Sequence, residues 1–173
     1  MAYFIVIETQ RLILRTFTIN DAQHIYDLNL DPEVIRYTLD PIRDIDHAKQ
    51  ILEAVILPQY ALYNYGRWAV HLKPDLEFIG WCGLKYRPEL NEVDLGYRFK
   101  KTSWGKGYAT EAAFASIKYG FEKLNLKTIT GRALPGNGGS CKVMEKCGMT
   151  YIGIQEIDGL PHKTYKLKRP LGP

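Results

Sequence analysis

The chain has 173 residues, 46% hydrophobic and 24% charged, the composition of an ordinary globular protein large enough to bury a core without disulfides or metals. Its 23 basic and 19 acidic side chains leave a net charge of only +4, which gives little support to a nucleic-acid-binding role. No stretch approaches the roughly 20 apolar residues of a membrane span. MAYFIVIETQRL also lacks the basic cluster and cleavage site of a signal peptide.

Three cysteines, Cys82, Cys141 and Cys147, form an odd set without a CxxC pair. Such a set is typical of reduced thiols in a cytoplasmic protein and argues against a disulfide framework. Neither a repeat nor a low-complexity linker interrupts the chain. We therefore expect a single domain, residues 1–173, in the cytoplasm, as a monomer or homodimer.

The N-terminal half begins with TQRLILRTF, an aliphatic run that predicts a strand over 9–17. Thr18 followed by Asp21 resembles a capping box and predicts the start of a first helix. After a loop, apolar residues recur at helical spacing from about Asp46, which predicts a second helix. Pro58 is expected to kink or end that helix.

From residue 67 the hydrophobic period changes to two. RWAVHL and EFIGWCGLKY predict two strands joined by a turn at Lys73-Pro74-Asp75. The next predicted strand, EVDLGYRFK at 92–100, alternates cleanly, with one apolar face and one polar face. The apolar face carries Val93, Leu95, Tyr97 and Phe99, and the polar face carries Glu92, Asp94, Gly96 and Arg98.

The C-terminal part predicts a helix after residue 107, a strand at KTITGRA and a short helix at SCKVMEKC that ends at Gly148. MTYIGIQEI and HKTYKLKR then predict a hairpin about Asp158-Gly159. Together the elements predict a mixed α/β fold, with helices packed on a largely antiparallel sheet.

The segment TSWGKGYATEA, residues 102–112, places two glycines between a predicted strand and a predicted helix. Amides in the first turn of a helix have no helical partner, and the helix dipole favours an anion there, so this junction is suited to phosphate. The P-loop pattern is absent because Lys106 is followed by Gly107, and the dinucleotide fingerprint is absent because Thr110 stands where its third glycine belongs. A plain turn is the alternative interpretation.

WGKGYATEA, followed by NGGSCKVMEKCGM, resembles the GNAT superfamily of acyl-CoA-dependent N-acetyltransferases. The opening ETQRLILRTFTINDAQHIYDLNLDPEV is similar to the usual start of the branch that includes the acetyltransferases of ribosomal-protein N-termini. The resemblance covers nearly the whole chain. It implies a central splayed sheet, acetyl-CoA as co-substrate without a metal, and an amine acceptor.

The resemblance also implies which residues hold the cofactor. The pyrophosphate loop falls on 104–109, with Trp104 where Gln or Arg is usual and with the small residues in place. Backbone groups of the preceding strand are expected to hold the pantetheine arm, and Asn137 matches the asparagine that contacts it. The expected cofactor-binding residues are Tyr97, Arg98, Phe99, Trp104, Gly105, Lys106, Gly107, Tyr108, Ala109, Thr110 and Asn137.

Amine attack on a thioester requires a base, because a lysine-type amine has a pKa of about 10.4 and an α-amine one of about 7.7–8.0. Asp94 stands where relatives often carry Glu, with Glu92 or a water chain as alternatives, and a solvated carboxylate as the non-catalytic interpretation. The position of the usual acid, a tyrosine, is Met144, so the resemblance implies Ser140 as the thiolate's proton donor. A structural N-cap is the alternative role for Ser140.

The sequence leaves the acceptor open. A protein N-terminal α-amine, attacked in a ternary complex, is the first prediction. A small amine (a polyamine, amino acid or aminoglycoside) and a non-catalytic CoA-binding module are the alternatives. Cys82 or Cys141 as a nucleophile beside His71 or His162, with a covalent acetyl-enzyme, is a weaker hypothesis, since buried thiols are usually inert. Glu111 lies in the first turn of the helix predicted after residue 107, where its negative charge is expected to stabilise the helix through the helix dipole.

Overall fold

The computed structural model describes residues 2–170, and its centre is one eight-stranded sheet. The strands are β1 (Ile5–Glu8), β2 (Leu12–Thr16), β3 (Arg67–Leu72), β4 (Phe78–Arg87), β5 (Glu92–Phe99), β6 (Thr128–Ala133), β7 (Thr150–Ile157) and β8 (Leu160–Lys168). Their order is β1-β2-β3-β4-β5-β6-β8-β7. All neighbours are antiparallel except β5 and β6, which are parallel. The predicted mixed α/β fold with a largely antiparallel sheet is therefore confirmed.

The helices are α1 (Ala22–Leu28), α2 (Ile45–Ile51), α3 (Leu57–Tyr63), α4 (Tyr108–Glu122) and α5 (Gly138–Lys146). A π-helical turn, Leu52–Ile56, joins α2 to α3. Pro58 lies in the first turn of α3, so its missing N–H falls where the helical ladder is already interrupted. The helical segment therefore continues past Pro58 instead of ending there, and the expected irregularity is the π-helical turn before it. Within residues 2–170, no helix is long and apolar enough to cross a membrane.

Two helical layers cover opposite faces of the sheet. Neighbouring residues of β3 alternate between them: Trp68 and Val70 belong to a core formed with α4 and α5, whereas Ala69 belongs to a core formed with α1 and α2. Strand β5 alternates in the same way. Leu95 and Phe99 are buried in the α4 core, as predicted from their spacing.

The sheet opens between β5 and β6, whose parallel pairing is confined to Asp94–Thr130 and Leu95–Gly131. Lys100 donates its N–H to the Ile79 carbonyl of the β4 side. Because hydrogen bonding alternates in direction along a strand, the backbone groups of Tyr97 and Phe99 then face away from β4, into this opening. The β5–β6 opening is the splay that the family resemblance implied.

Three further details differ from the sequence prediction. Strand β1 was not predicted, and the predicted strand 9–17 is shorter, because Thr9 already belongs to the β1–β2 turn through its N–H bond to the Leu12 carbonyl. Helix α5 begins at Gly138, two residues before Ser140. The hairpin turn is confirmed, with φ of 53° at Asp158 and 77° at Gly159.

Candidate active site

A cavity of about 420 Å³ lies at the β5–β6 opening. Its walls come from the end of β5, the turn before α4, the start of α5 and the loop between α1 and α2. The lining residues are Glu33, Val34, Tyr37, Thr38, Tyr97, Arg98, Phe99, Trp104, Gly105, Ala109, Gly136, Asn137, Gly138, Gly139, Ser140 and Val143. Residues predicted from two distant sequence segments therefore meet at one site.

The turn before α4 offers unpaired amides. Gly105 and Gly107 have φ of 72° and 81°, a conformation that side-chain-bearing residues disfavour, so glycine is required at both positions. Within residues 2–170, the N–H groups of 105–110 have no hydrogen-bond acceptor. Six free donors at the positive end of a 15-residue helix form an anion site of the kind that holds phosphate.

Trp104 has a defined contact. Its indole Nε1 donates to the Phe99 carbonyl at 2.9 Å, which ties the turn to the strand that lines the opening. The Phe99 carbonyl was expected to be available for a pantetheine arm, and this bond occupies part of its accepting capacity. Trp104, which stands where the family usually has Gln or Arg, therefore has a structural role through this hydrogen bond.

A brace behind the turn was not predicted. Arg11 donates from Nη1 to the Lys106 carbonyl at 2.9 Å and from Nε to Glu111 at 2.6 Å. Glu111 also accepts from the Thr9 hydroxyl at 2.6 Å. Burial raises the pKa of Glu111, but the hydrogen bonds from Thr9 and Arg11 outweigh it, so its pKa lies below the usual value. Glu111 therefore has a structural partner as well as a helix dipole.

At the start of α5, Asn137 is the N-cap, because its Oδ1 accepts from the Ser140 N–H at 3.1 Å. The alternative that Ser140 is the N-cap is therefore wrong. The Ser140 hydroxyl instead lies 2.9 Å from the Tyr97 phenol oxygen, and the phenol also donates to the Ser140 carbonyl at 2.7 Å. Burial raises the pKa of Tyr97 well above its ordinary value, and the bond to Ser140 opposes this only in part.

Met144, which is 1% exposed, occupies the position where many relatives have a tyrosine that acts as the general acid. A Cβ added at Gly131 would lie 2.6 Å from the Met144 sulfur, so this side chain packs on β6 as core. The cavity nevertheless has a phenol, that of Tyr97, which reaches Ser140 from the opposite wall. Tyr97 was predicted at the site through its backbone groups, and the role of its side chain was not predicted.

Asp94 and Glu92 are ion-paired on the face opposite α4. Asp94 is 5% exposed and accepts from Arg67 Nη2 at 2.7 Å. Glu92 accepts from Arg132 and lies 3.6 Å from Lys166. The interpretation of Asp94 as a solvated carboxylate is therefore wrong. Neither carboxylate lines the cavity itself, although Asp94 belongs to the pairing at which β5 and β6 separate.

Arg98 contributes its side chain as well as its backbone. Its guanidinium donates to both oxygens of Asp40 at 2.9 Å and to Asn29. These residues belong to the loop between α1 and α2, which covers one side of the cavity. Arg98 therefore fastens that loop to β5.

The predicted cofactor residues separate into two groups. Seven line the cavity: Tyr97, Arg98, Phe99, Trp104, Gly105, Ala109 and Asn137. The other four, Lys106, Gly107, Tyr108 and Thr110, lie outside it, on the turn that carries the free amides.

The thiols lie in the interior. Burial raises the pKa of Cys82 to about 12 and that of Cys147 to about 11. Cys82 contacts the Ser116 hydroxyl at 3.5 Å, and His71 contacts the Leu76 carbonyl at 2.8 Å. Thiols with such pKa values are almost entirely protonated near neutral pH, which argues against Cys82 as a nucleophile. Cys141, the other candidate, is buried as well.

The sequence profile of a family described as acetyltransferase (GNAT) domain matches residues 11–150. A Bacillus licheniformis protein described as uncharacterized N-acetyltransferase p20 is 31% identical over 149 residues, covering 84% of this chain and 83% of that protein. An acetyltransferase structure from Agrobacterium tumefaciens matches with a TM-score of 0.82 and 27% identity, covering 96% of this chain and 97% of that one.

A ribosomal-protein alpha-N-acetyltransferase in complex with coenzyme A matches with a TM-score of 0.80 over 95% of this chain and 98% of that one. At 13% identity, this likeness shows the fold alone. The family profile, in contrast, spans most of the chain. The chain therefore belongs to the GNAT family and is an acetyl-CoA-dependent acetyltransferase.

Proposed function

We propose that this protein transfers acetyl from acetyl-CoA to a primary amine, by direct attack within a ternary complex, as one acyl-CoA N-acyltransferase domain. The observation that carries the proposal is the connection of the free amides at 105–110 to a cavity at the β5–β6 opening. The diphosphate on the amides and the thioester in the cavity are two parts of one cofactor, joined by its pantetheine arm. The direct route is favoured over an acetyl-cysteine because the thiols are buried.

The cofactor is held mainly by main-chain groups. The amides of 105–110 bind the diphosphate, with the exposed Lys106 adding charge from the side. The backbone groups of Tyr97 and Phe99 that face the opening pair with the pantetheine amides, as an added strand does in peptide recognition, and the Phe99 carbonyl does so with the accepting capacity that Trp104 leaves. An N–H of the same strand stabilises the oxyanion of the tetrahedral intermediate.

Ser140 donates a hydrogen bond from its hydroxyl to the departing thiolate. Because the conjugate acid of that thiolate resembles a cysteine thiol of pKa about 8.5, the thiolate leaves as the anion and is then protonated by solvent. Tyr97 is the positioning residue: its phenol, held by the Ser140 carbonyl, fixes the Ser140 hydroxyl at 2.9 Å. The Tyr97–Ser140 pair takes the place of the tyrosine that many relatives carry at the position of Met144. A non-catalytic CoA module would have no need of such a pair in the cavity wall.

Asp94 accepts the amine's proton, directly or through water. Its Oδ2 is engaged by Arg67, whereas its Oδ1 has no hydrogen bond within the described residues, the nearest cation being Arg132 Nη1 at 4.0 Å. Glu92 lies two residues further from the opening and is held by Arg132. Asp94 is therefore favoured over Glu92.

Our first acceptor is a protein N-terminal α-amine, because its pKa of about 7.7–8.0 demands less from the base than a lysine-type amine does. The resemblance to ribosomal-protein acetyltransferases supports the same acceptor. Small amines are the second candidate.

The proposal is tested by measuring free CoA release from acetyl-CoA with a panel of peptides and small amines. Asp94→Asn and Ser140→Ala should each lower turnover about a hundredfold, whereas the exposed Asp46→Asn should leave it unchanged. Because Asp94 also pairs with Arg67, the pH profile separates the two roles: a lost base is compensated as rising pH deprotonates the amine. Binding of CoA without release, for every amine, would favour the module.

A further inference from the structure

The polar face of the sheet beside the cavity carries an excess of cations. Among the cations that strand register brings to this face, five surround Glu92 and Asp94: Arg67 on β3, Lys85 and Arg87 on β4, Arg132 on β6 and Lys166 on β8. We call these five residues the cationic patch. The carboxylates that contact them are Glu92, Asp94 and Glu89. Five positive charges therefore face three negative ones.

Several donors of the patch are unused. Arg132 has a side chain only 7% exposed, yet within residues 2–170 its Nε and Nη1 have no hydrogen-bond partner, and neither has Arg87 Nε. A buried guanidinium donor without an acceptor destabilises the fold, because it has lost its hydrogen bonds to water. Such donors indicate that an acceptor, such as an anionic ligand, binds there. Burial and the charges of Arg67 and Arg87 lower the pKa of Lys85, as a local excess of positive charge would.

The patch begins where the thioester would lie. The Arg67 guanidinium covers Gly96, the residue after the last β5–β6 pair: a Cβ there would come within 2.5 Å of its Nη2. Trp81 continues the link, since its ring lies 5.4 Å from the Arg67 guanidinium and 5.5 Å from that of Arg98, which lines the cavity. The patch thus extends from the cavity along the face of β5 that carries Asp94 and Glu92.

We propose that the acceptor carries an oxyanion, a carboxylate or a phosphate, close to its amine, and that the cationic patch binds it. Guanidinium groups match both oxyanions because their paired N–H donors fit two oxygens at once. The same charges repel a polyamine or an aminoglycoside. Arg67 is already held by Gly83 and Asp94. The unused donors are Arg87 Nε and Arg132 Nη1, which lie 3.7 and 4.0 Å from the Asp94 carboxylate, so Arg87 and Arg132 meet the anion of the acceptor.

This inference rests on the proposed acetyl transfer, and three matched pairs of amines test it. In the first pair, serine has a carboxylate beside its amine and serinamide does not. In the second pair, phosphoethanolamine has a phosphate and ethanolamine does not. A peptide with serine followed by two glutamates, against one followed by two glutamines, offers distant carboxylates. Serinamide lacks the carboxylate, so its amine has a lower pKa than that of serine and a larger neutral, reactive fraction. A preference for serine over serinamide therefore cannot come from amine ionisation.

In at least one pair, the anionic member should have a kcat/KM about ten- to a hundredfold higher, the value of one or two charge-assisted hydrogen bonds. Arg87→Gln and Arg132→Gln should reduce the ratio of kcat/KM between the anionic and the neutral member of that pair to about one. The ratio is the readout because both members use the same base, so an effect of either substitution on Asp94 cancels. Lys118→Gln, the same charge change on the exposed face of α4, should keep the preference. Equal turnover within all three pairs, or faster acetylation of spermidine, would overturn the inference.

A failure of the proposed function would look different. In that case no amine in the panel causes release of CoA. Calorimetric titration of the same pairs into the CoA-loaded protein still tests whether the cationic patch binds the anionic member of a pair. Tighter binding of an anionic member, lost in Arg132→Gln, supports the patch without catalysis. Equal or undetectable binding of both members refutes it.

Discussion

The phenol oxygen of Tyr97 lies 2.9 Å from the hydroxyl oxygen of Ser140, across the opening between β5 and α5. The two residues come from sequence segments 43 positions apart. Their approach depends on the divergence of β5 from β6 just after Leu95, which leaves room for a cofactor arm between them.

Removing either hydroxyl should slow the chemical step. We expect Ser140→Ala to lower kcat about a hundredfold and Tyr97→Phe about tenfold, with the KM for acetyl-CoA changed less than threefold. Steady-state kinetics across pH 6–9 checks this, with Tyr151→Phe, an exposed phenol on β7, as the matched control. A Tyr97→Phe enzyme with normal kcat would leave Tyr97 without a role in the reaction.

The conformation of the turn at Gly107 should matter for CoA and not only for folding. Gly107→Ala places a side chain at φ of 81° and should cost about 1–2 kcal/mol of stability and about tenfold in CoA affinity. Gly159→Ala, at φ of 77° in the β7–β8 turn, should cost similar stability and leave CoA affinity unchanged. Urea unfolding and calorimetry measure the two quantities, and equal CoA affinities in both variants would contradict the prediction.

Asp21 should make the stability of the N-terminal region depend on pH. Burial raises its pKa, but Arg15, at 2.8 and 3.0 Å, and the Thr18 N–H outweigh that effect, so its pKa is below the ordinary 3.8. A lowered folded-state pKa contributes stability that is present above the unfolded pKa and is lost as pH falls through the folded one.

Asp21→Asn should therefore destabilise the protein by about 3 kcal/mol at pH 7, and the difference from the parent should shrink below pH 4. Urea denaturation at pH 7 and at pH 3 checks the sign. Glu156→Gln, an exposed carboxylate on β7, is the control and should change little at either pH. A constant difference at both pH values would show that Asp21 acts by packing alone.

No acetyl-cysteine should accumulate. The raised pKa values of Cys82 and Cys147 leave almost no thiolate at pH 7.5, so intact-protein mass spectrometry after incubation with acetyl-CoA alone should show an unmodified chain. The urea-unfolded chain, treated with iodoacetamide, is the control for thiol detection. Stoichiometric acetylation of one cysteine before amine is added would replace direct attack with a covalent route.

Sequence periodicity predicted the core strands and α4 well, because alternation and helical spacing are local properties. It predicted the faces of β5 correctly, yet could not show that Asp94 is buried, since its partners Arg67 and Arg132 come from other strands. Arg11 was missed for the same reason: its contacts with Lys106 and Glu111 span about a hundred residues. The motif predicted the glycine turn before α4, whereas only the fold brought the Tyr97 phenol to Ser140.

The central claim is that the free amides of residues 105–110 bind the diphosphate of coenzyme A. Isothermal titration calorimetry with CoA and with pantetheine, which shares the thiol arm and lacks the diphosphate, tests it most directly. We predict that CoA binds at least about a hundredfold more tightly than pantetheine, as several charge-assisted hydrogen bonds require. Equal affinity for the two molecules, or no affinity for CoA, would contradict the account.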